Sequence, residues 1–153
     1  MVARDWQADL TALFPAGEVT RGTDGFFWVK VDAGHLHEAV AGLKGLGITN
    51  LSTIIAEDLR EHYLLSYPFL GTIVVTLTVK VDKDRPEVPT LAGTVAGAIV
   101  YEREIHDVMG ITPVGHPDLR RQVVPEDWPE GVYPLRKDVV MPPASVAPQG
   151  GDK

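Results

Sequence analysis

The sequence contains no cysteine. Without thiolates, this polypeptide cannot ligate an iron–sulfur cluster or a nickel centre through cysteine, and a cysteine nucleophile is excluded. The absence also fits a reducing compartment. If redox chemistry takes place nearby, another polypeptide therefore holds the metal.

Long apolar runs are also missing. The longest candidate, 72–79, is interrupted by threonines and is shorter than the roughly 18 residues of a membrane span. The first ten residues carry Asp5 and Asp9 and no long apolar segment, so we expect no secretory signal and a cytoplasmic location. With 153 residues, 44% apolar and 23% charged, the protein has the length of one globular domain.

Positive charge is scarce: the formal net charge is −7 and the isoelectric point is about 5.1. This sign disfavours binding to a phosphate backbone, so we expect no nucleic-acid partner. Four basic residues nevertheless cluster late in the sequence, at Arg120, Arg121, Arg136 and Lys137. Such a cluster could meet an acidic protein surface.

Apolar periodicity predicts an α+β fold, with helices packed on a mainly antiparallel sheet. Helices are predicted over 4–14, after Asp32, and over 91–109, the last with Thr90 as N-cap and Gly110 as stop. Strands are predicted at 26–31, 51–59, 62–69 and 72–81. Because the later strands are joined by short breaks, we expect an antiparallel meander.

Prolines mark a change of character after Ile111, since eight of the twelve lie between Pro113 and Pro148. Such a segment is expected to make few internal hydrogen bonds, yet it contains Trp128, Tyr133 and Leu135. We therefore predict an α+β domain (1–110), an extended, partner-binding C-terminal arm (111–143) and a disordered tail (144–153).

Ionisable side chains occupy ten of the 21 positions between 101 and 121. Glu102 and His106 are four residues apart, as are Arg103 and Asp107, so each pair can interact on a helix. The pairs fit either an ordinary solvated face or a charged helix end aimed at a partner.

Motifs of an autonomous active site are missing. The serines lack a nucleophile elbow, and the glycines at 42–47 form neither a P-loop nor a dinucleotide fingerprint. A metal site could be drawn from His106 and His116 with nearby carboxylates, but no familiar ligand spacing supports it. We expect His116 to bond to the backbone and fix its turn, and we interpret the charged stretch as an interface.

Five motifs between Glu102 and Asp138 resemble those of a known family. They are ERE at 102–104, DVMGI at 107–111, GHPDLRR at 115–121, EDW at 126–128 and PLRKD at 134–138. In this order they resemble the small hydrophilic C subunit of respiratory complex I and the homologous subunit of energy-converting nickel–iron hydrogenases. Met109, Gln122 and the long link after Trp128 depart from the complex I pattern, and the WPEGVYPLRKD form is closer to the hydrogenase branch.

The resemblance implies a non-catalytic subunit without a cofactor, packed on the large catalytic subunit and next to an iron–sulfur subunit. Iron–sulfur clusters and a nickel–iron or flavin group would lie in those partners, and the complex would hold this protein on the cytoplasmic face of the inner membrane. Arginines of the arm would then contact partner carboxylates, with apolar anchors beside them. The implied partner-binding residues are Glu102, Arg103, Glu104, Asp107, His116, Asp118, Arg120, Arg121, Trp128, Tyr133, Leu135, Arg136, Lys137 and Asp138.

Three alternatives stay open at this point. Within the family, the protein could be the C subunit of an NADH:quinone oxidoreductase. In other classes, it could be a free-standing adaptor or a metal-dependent enzyme that uses His106 and His116.

Overall fold

A computed structural model describes residues 3–143 and shows helices packed on one face of a mostly antiparallel sheet. The predicted α+β class is confirmed. The helices are α1 (Trp6–Leu13), α2 (Leu36–Gly45), which follows a 3₁₀ turn at Ala33–His35, and α3 (Ala98–Met109). The strands are β1 (Glu18–Arg21), β2 (Phe27–Lys30), β3 (Asn50–Leu51), β4 (Ile55–Asp58), β5 (His62–Leu70), β6 (Val74–Asp82), β7 (Glu87–Pro89) and β8 (Thr112–Val114).

The main sheet has the order β1-β2-β6-β5-β3, and β4 pairs with the same strand, β5, as β3 does. Strands β4, β5 and β6 form the predicted antiparallel meander. The predicted strand at 51–59 is instead divided into β3 and β4. Strand β2 pairs with β6 in parallel, which the sequence did not predict, and β7 and β8 form a small parallel sheet of their own.

The core lies between the main sheet and the helices. Alternate residues of β5 and β6, such as Leu65 and Leu77, are fully buried, and α2 adds Leu36, Val40 and Leu43 at helical spacing. Burying each such side chain contributes about 1.5 to 3 kcal/mol. Helix α1 packs closely on α2, because a Cβ added at Gly42 would lie 2.7 Å from the Leu13 side chain.

Helix α3 is shorter than the sequence predicts. It begins at Ala98 with Gly97 as N-cap, whereas the predicted cap Thr90 donates its hydroxyl to the Glu102 carboxylate. Its predicted end is confirmed, since Gly110 has a left-handed φ of 69°. Within residues 3–143, none of the helices is both long and apolar enough to span a membrane. The predicted disordered tail (144–153) lies outside the described residues.

Candidate functional site

The C-terminal arm turns back along α3 and β4 after strand β8. The Leu135 N–H donates to the Val108 carbonyl at 3.0 Å, and the Lys137 N–H donates to Asp58 Oδ2 at 2.9 Å. A carbonyl and a carboxylate of the domain therefore accept N–H groups of the arm that lack strand partners.

Asp107 holds the middle of the arm. Its Oδ2 accepts the N–H groups of Gln122 at 2.7 Å and Val123 at 2.8 Å, and the residue is buried. Arg103, its expected helical neighbour, instead donates its Nε–H to the Arg120 carbonyl. Both side chains of this predicted pair are thus used to fix the course of the arm.

Glu102 is 1% exposed and faces inward from α3, so it does not pair with His106 on a solvated face. Its carboxylate accepts the Leu91 N–H and the Thr90 hydroxyl, both at 2.5 Å. Burial raises the pKa of Glu102, although these two hydrogen bonds oppose the rise. The carboxylate therefore ties the turn before α3 to the helix.

His116 fixes the first turn of the arm, as expected. Its Nε2–H donates to the Ile99 carbonyl at 3.0 Å, and its Nδ1 accepts the Asp118 N–H at 3.0 Å. Because both ring nitrogens are occupied by backbone groups, His116 is not available as the ligand that the metal-enzyme alternative requires.

Asp58, at the end of β4, holds the last part of the arm and was missed by sequence reasoning. It is buried and accepts the Lys83 ammonium at 2.7 Å and the N–H groups of Arg60 and Lys137. Burial alone would raise the pKa of Asp58, but these hydrogen bonds hold it well below its usual range. The only sequence signal was its place in a hairpin turn, which indicates a local role.

Arg121 organises the loop around Trp128. Its guanidinium donates to the carbonyls of Pro125 at 3.0 Å, Glu126 at 2.9 Å and Trp128 at 2.5 Å. All three bonds are made by Nη1, so this nitrogen holds the loop, and the contact of Arg121 with a partner carboxylate stays a prediction.

Arg136 is also used internally. It donates to the Met109 carbonyl at 2.7 Å and lies 4.2 Å from the Tyr133 ring centre and 5.3 Å from that of Tyr63. A Cβ added at Gly110 would lie 2.5 Å from the Tyr133 ring. The glycine that ends α3 thus also makes room for the arm.

A cleft of about 320 Å³ lies between α3 and the arm. The Trp128 indole N–H donates to the Val132 carbonyl at 2.8 Å and so fixes one wall. The cleft is lined by His106, Asp107, Leu119, Arg121, Val124, Trp128, Glu130, Val132 and Tyr133.

The predicted interface residues therefore fall into two groups. Glu102, Asp107 and His116 have buried side chains that are hydrogen-bonded within the protein, and their role in partner binding stays a prediction. The exposed members are Glu104, Asp118, Arg120, Leu135, Lys137 and Asp138, and the partly exposed ones are Arg103, Arg121, Trp128, Tyr133 and Arg136. The buried residues position the surface that the others form.

Comparison with known proteins adds a family and a fold. Residues 29–145 match the family described as the respiratory-chain NADH dehydrogenase 30 kDa subunit. The C subunit of the Moorella thermoacetica NADH-quinone oxidoreductase is 38% identical over 138 residues, which cover 85% of this protein and 90% of that subunit. One polypeptide of the archaeal membrane-bound sulfane sulfur reductase, a respiratory membrane complex, has a similar fold, with a TM-score of 0.79, 19% identity and coverage of 88% of this protein and 85% of that one.

A hydrogenase-type relative is similar over a shorter stretch. Formate hydrogenlyase subunit 5 of Escherichia coli is 41% identical over 95 residues, or 58% of this protein. The matched stretch makes up 17% of that much longer protein. The similarity to it therefore covers only a small part of a larger polypeptide.

Proposed function

The protein belongs to the family of the respiratory-chain NADH dehydrogenase 30 kDa subunit, and on this premise we propose that it is a non-catalytic structural subunit of a membrane-associated, complex-I-like oxidoreductase. It docks on the large catalytic subunit, next to an iron–sulfur subunit, on the cytoplasmic side of the membrane. In this proposal, iron–sulfur clusters and a nickel–iron or flavin group belong to those partners.

One observation carries the docking proposal: the arm has a fixed course but exposes apolar side chains. Asp58 and Asp107 hold its backbone, while Leu135, Val140 and Met141 are 62%, 86% and 53% exposed. A segment held in place by the domain, with uncovered apolar side chains, is typical of a surface that another protein covers.

We assign the complex to the energy-converting nickel–iron hydrogenases. The form WPEGVYPLRKD, 128–138, supports this branch, and so does the 41% identity to a formate hydrogenlyase subunit. The second candidate is an NADH:quinone oxidoreductase, which is supported by the match to the Moorella protein along nearly its full length.

Gentle detergent extraction of native membranes, followed by pull-down on this protein, tests both candidates. Nickel together with a hydrogenase-like large subunit is the expected result. Flavin and NADH-oxidising subunits without nickel would establish the second candidate instead. Recovery of the protein alone would overturn the proposal that it is a subunit.

A matched pair of variants tests the docking surface within the same pull-down. Leu135→Ser removes an exposed apolar side chain of the arm, whereas Ile55→Ser makes a similar change on β4, where the side chain is 48% exposed. We expect Leu135→Ser to weaken co-purification by about tenfold, in keeping with an anchor of about 1 to 2 kcal/mol, and Ile55→Ser to have no effect. Equal yields would argue against the arm as the docking surface.

A further inference from the structure

We propose that the cleft between α3 and the C-terminal arm receives an arginine side chain from a basic segment of the partner. The inference rests on the proposed function in one respect, namely that a partner protein covers the arm. The sequence predicts that arginines of the arm contact carboxylates of a partner. Here the partner supplies the arginine and the arm supplies the carboxylate, because arginines of the arm already make contacts within the protein.

Three arginines of the arm already make contacts within the protein. Arg121 donates to three backbone carbonyls of its own loop. Arg136 donates to the Met109 carbonyl and stacks on Tyr133 and Tyr63, and Arg120 pairs with Asp118 at 2.9 Å. Part of the donor capacity of each of these side chains is therefore used within the protein.

The acidic side chains of the loop at 125–133, by contrast, have no such contacts within residues 3–143. Glu126, Asp127 and Glu130 are exposed, and in the part of the sequence that the structure describes none of them forms an ion pair or a side-chain hydrogen bond. The stretch 125–133 contains these three carboxylates and no basic residue. Of these three carboxylates Glu130 lines the cleft, and the negative formal charge of the stretch favours a cationic partner group.

The residues that line the cleft favour a guanidinium over other cations. Trp128 and Tyr133 contribute aromatic rings. Arg136 already lies over one face of Tyr133, and the Trp128 indole N–H is directed at the Val132 carbonyl. Glu130 lines the same cleft. A guanidinium can stack on an aromatic ring and pair with a carboxylate at the same time, because its donors lie in the plane of the group and its faces are free.

His106 uses one ring nitrogen within the protein: its Nδ1 donates to the Ile111 carbonyl at 3.2 Å. Asp107 and Arg121 also line the cleft, and both hydrogen-bond to backbone groups. Their formal charges are opposite, so Glu130 makes the formal charge of the lining negative. The volume, about 320 Å³, is at the lower end of the range of about 300 to 1,000 Å³ for small-molecule pockets, which suits one long side chain.

A titration of the full-length protein tests the chemistry of the cleft without any partner. The probe is a capped tri-arginine peptide, and the readout is the indole N–H resonance of Trp128 in the ¹⁵N-labelled protein, assigned with Trp128→Phe. We expect a saturable shift with tri-arginine, a smaller one with capped tri-lysine and none with capped tri-glutamate.

Two variants of the same charge change locate the site. Glu130→Gln should raise the half-saturating concentration of tri-arginine by about fivefold, as expected for the loss of one exposed ion pair. Glu57→Gln, at a carboxylate on β4 outside the cleft, should leave it unchanged. The absence of a shift, an equal response to tri-glutamate, equal effects of tri-lysine and tri-arginine, or an unaltered Glu130→Gln titration would each overturn the proposal.

The two proposals fail in different experiments. A pull-down that recovers partner subunits while the tri-arginine titration fails would refute only the arginine-binding cleft. A positive titration with a protein that is always recovered alone would refute the subunit role and leave the chemistry of the cleft established.

Discussion

The sheet domain and the C-terminal arm are held in place by different forces. In the domain, side chains such as Leu65, Leu77 and Val79 are fully buried in a common core. In the arm, the ties are carboxylates that accept backbone N–H groups, at Asp58 and Asp107, and guanidinium groups that donate to carbonyls, at Arg121 and Arg136.

The difference shows how a proline-rich segment can be ordered without a core. Its backbone groups lack strand partners over most of its length, so charged side chains satisfy them instead. Hydrogen bonds of this kind are few, and a single substitution can remove each of them. We therefore expect the arm to be released by single substitutions that leave the sheet folded, whereas a substitution in the core should affect both regions.

The largest effect is expected for Leu77→Ala. Leu77 is fully buried in β6, so truncation should lower the free energy of unfolding by about 2 to 5 kcal/mol, through lost burial and a cavity. Urea denaturation measures the change, and hydrogen exchange shows where it acts. If the arm exchanged as in the wild type while the sheet was destabilised, the two regions would be independent of one another.

Asp107→Ala should release the arm at a smaller cost. The N–H groups of Gln122 and Val123 lose their acceptor, which destabilises this contact by about 1 to 3 kcal/mol. Hydrogen exchange at residues 122 and 123 should accelerate while that of β5 and β6 stays unchanged. Glu104→Ala, at an exposed site on the same helix, is the matched control and should change neither; slow exchange at both amides in Asp107→Ala would contradict the role of the carboxylate.

The hydrogen bond between Asp58 of the domain and the Lys137 N–H of the arm should depend on pH. The pKa of Asp58 is lowered in the folded state, so its contribution is fully present above the unfolded-state pKa of about 3.9 and is lost as the pH falls toward the folded-state value. At pH 7, Asp58→Asn should cost about 1 to 2 kcal/mol, since the side chain keeps an acceptor but loses its charge.

The measurement is the free energy of unfolding of the wild type minus that of Asp58→Asn, between pH 7 and pH 2. This difference should shrink as the pH falls below about 4. A constant difference would show that the charge of Asp58 contributes nothing to the tie.

The smallest effect on stability is expected for Arg120→Ala. The Arg120 and Asp118 side chains are 75% and 45% exposed, and such surface pairs contribute about 0.5 kcal/mol or less. Thermal unfolding should therefore be nearly unchanged. A loss of more than about 1 kcal/mol would show that side-chain pairs, and not only backbone ties, hold the arm.

Local patterns predicted much of the fold. The spacing of apolar residues identified α2, β5 and β6, because each has one face buried against a single core. The parallel pairing of β2 with β6 has no local signal, since Phe27 and Val75 meet only through packing of the whole sheet. Likewise, Leu91 and Val95 are buried at a helical spacing but lie in turns before α3.

The sequence identified the residues of the candidate site better than their roles. Glu102 and Asp107 appear as surface charges when only helical neighbours are considered. Their true partners, Leu91 and Gln122, lie 11 and 15 residues away and are backbone N–H groups, which every residue except proline carries. A role that depends on a distant backbone partner therefore cannot be recognised from the residue types in the sequence.

The hydrogen bond between Asp58 and the Lys137 N–H joins positions 79 residues apart. Of the side-chain hydrogen bonds described above, it encloses the longest stretch of sequence. In many small proteins a disulfide closes a loop of this kind, and thiols can then open it. Here a carboxylate closes the loop in a protein without cysteine, so reductants should leave the closure intact. Acid is the reagent that should open it.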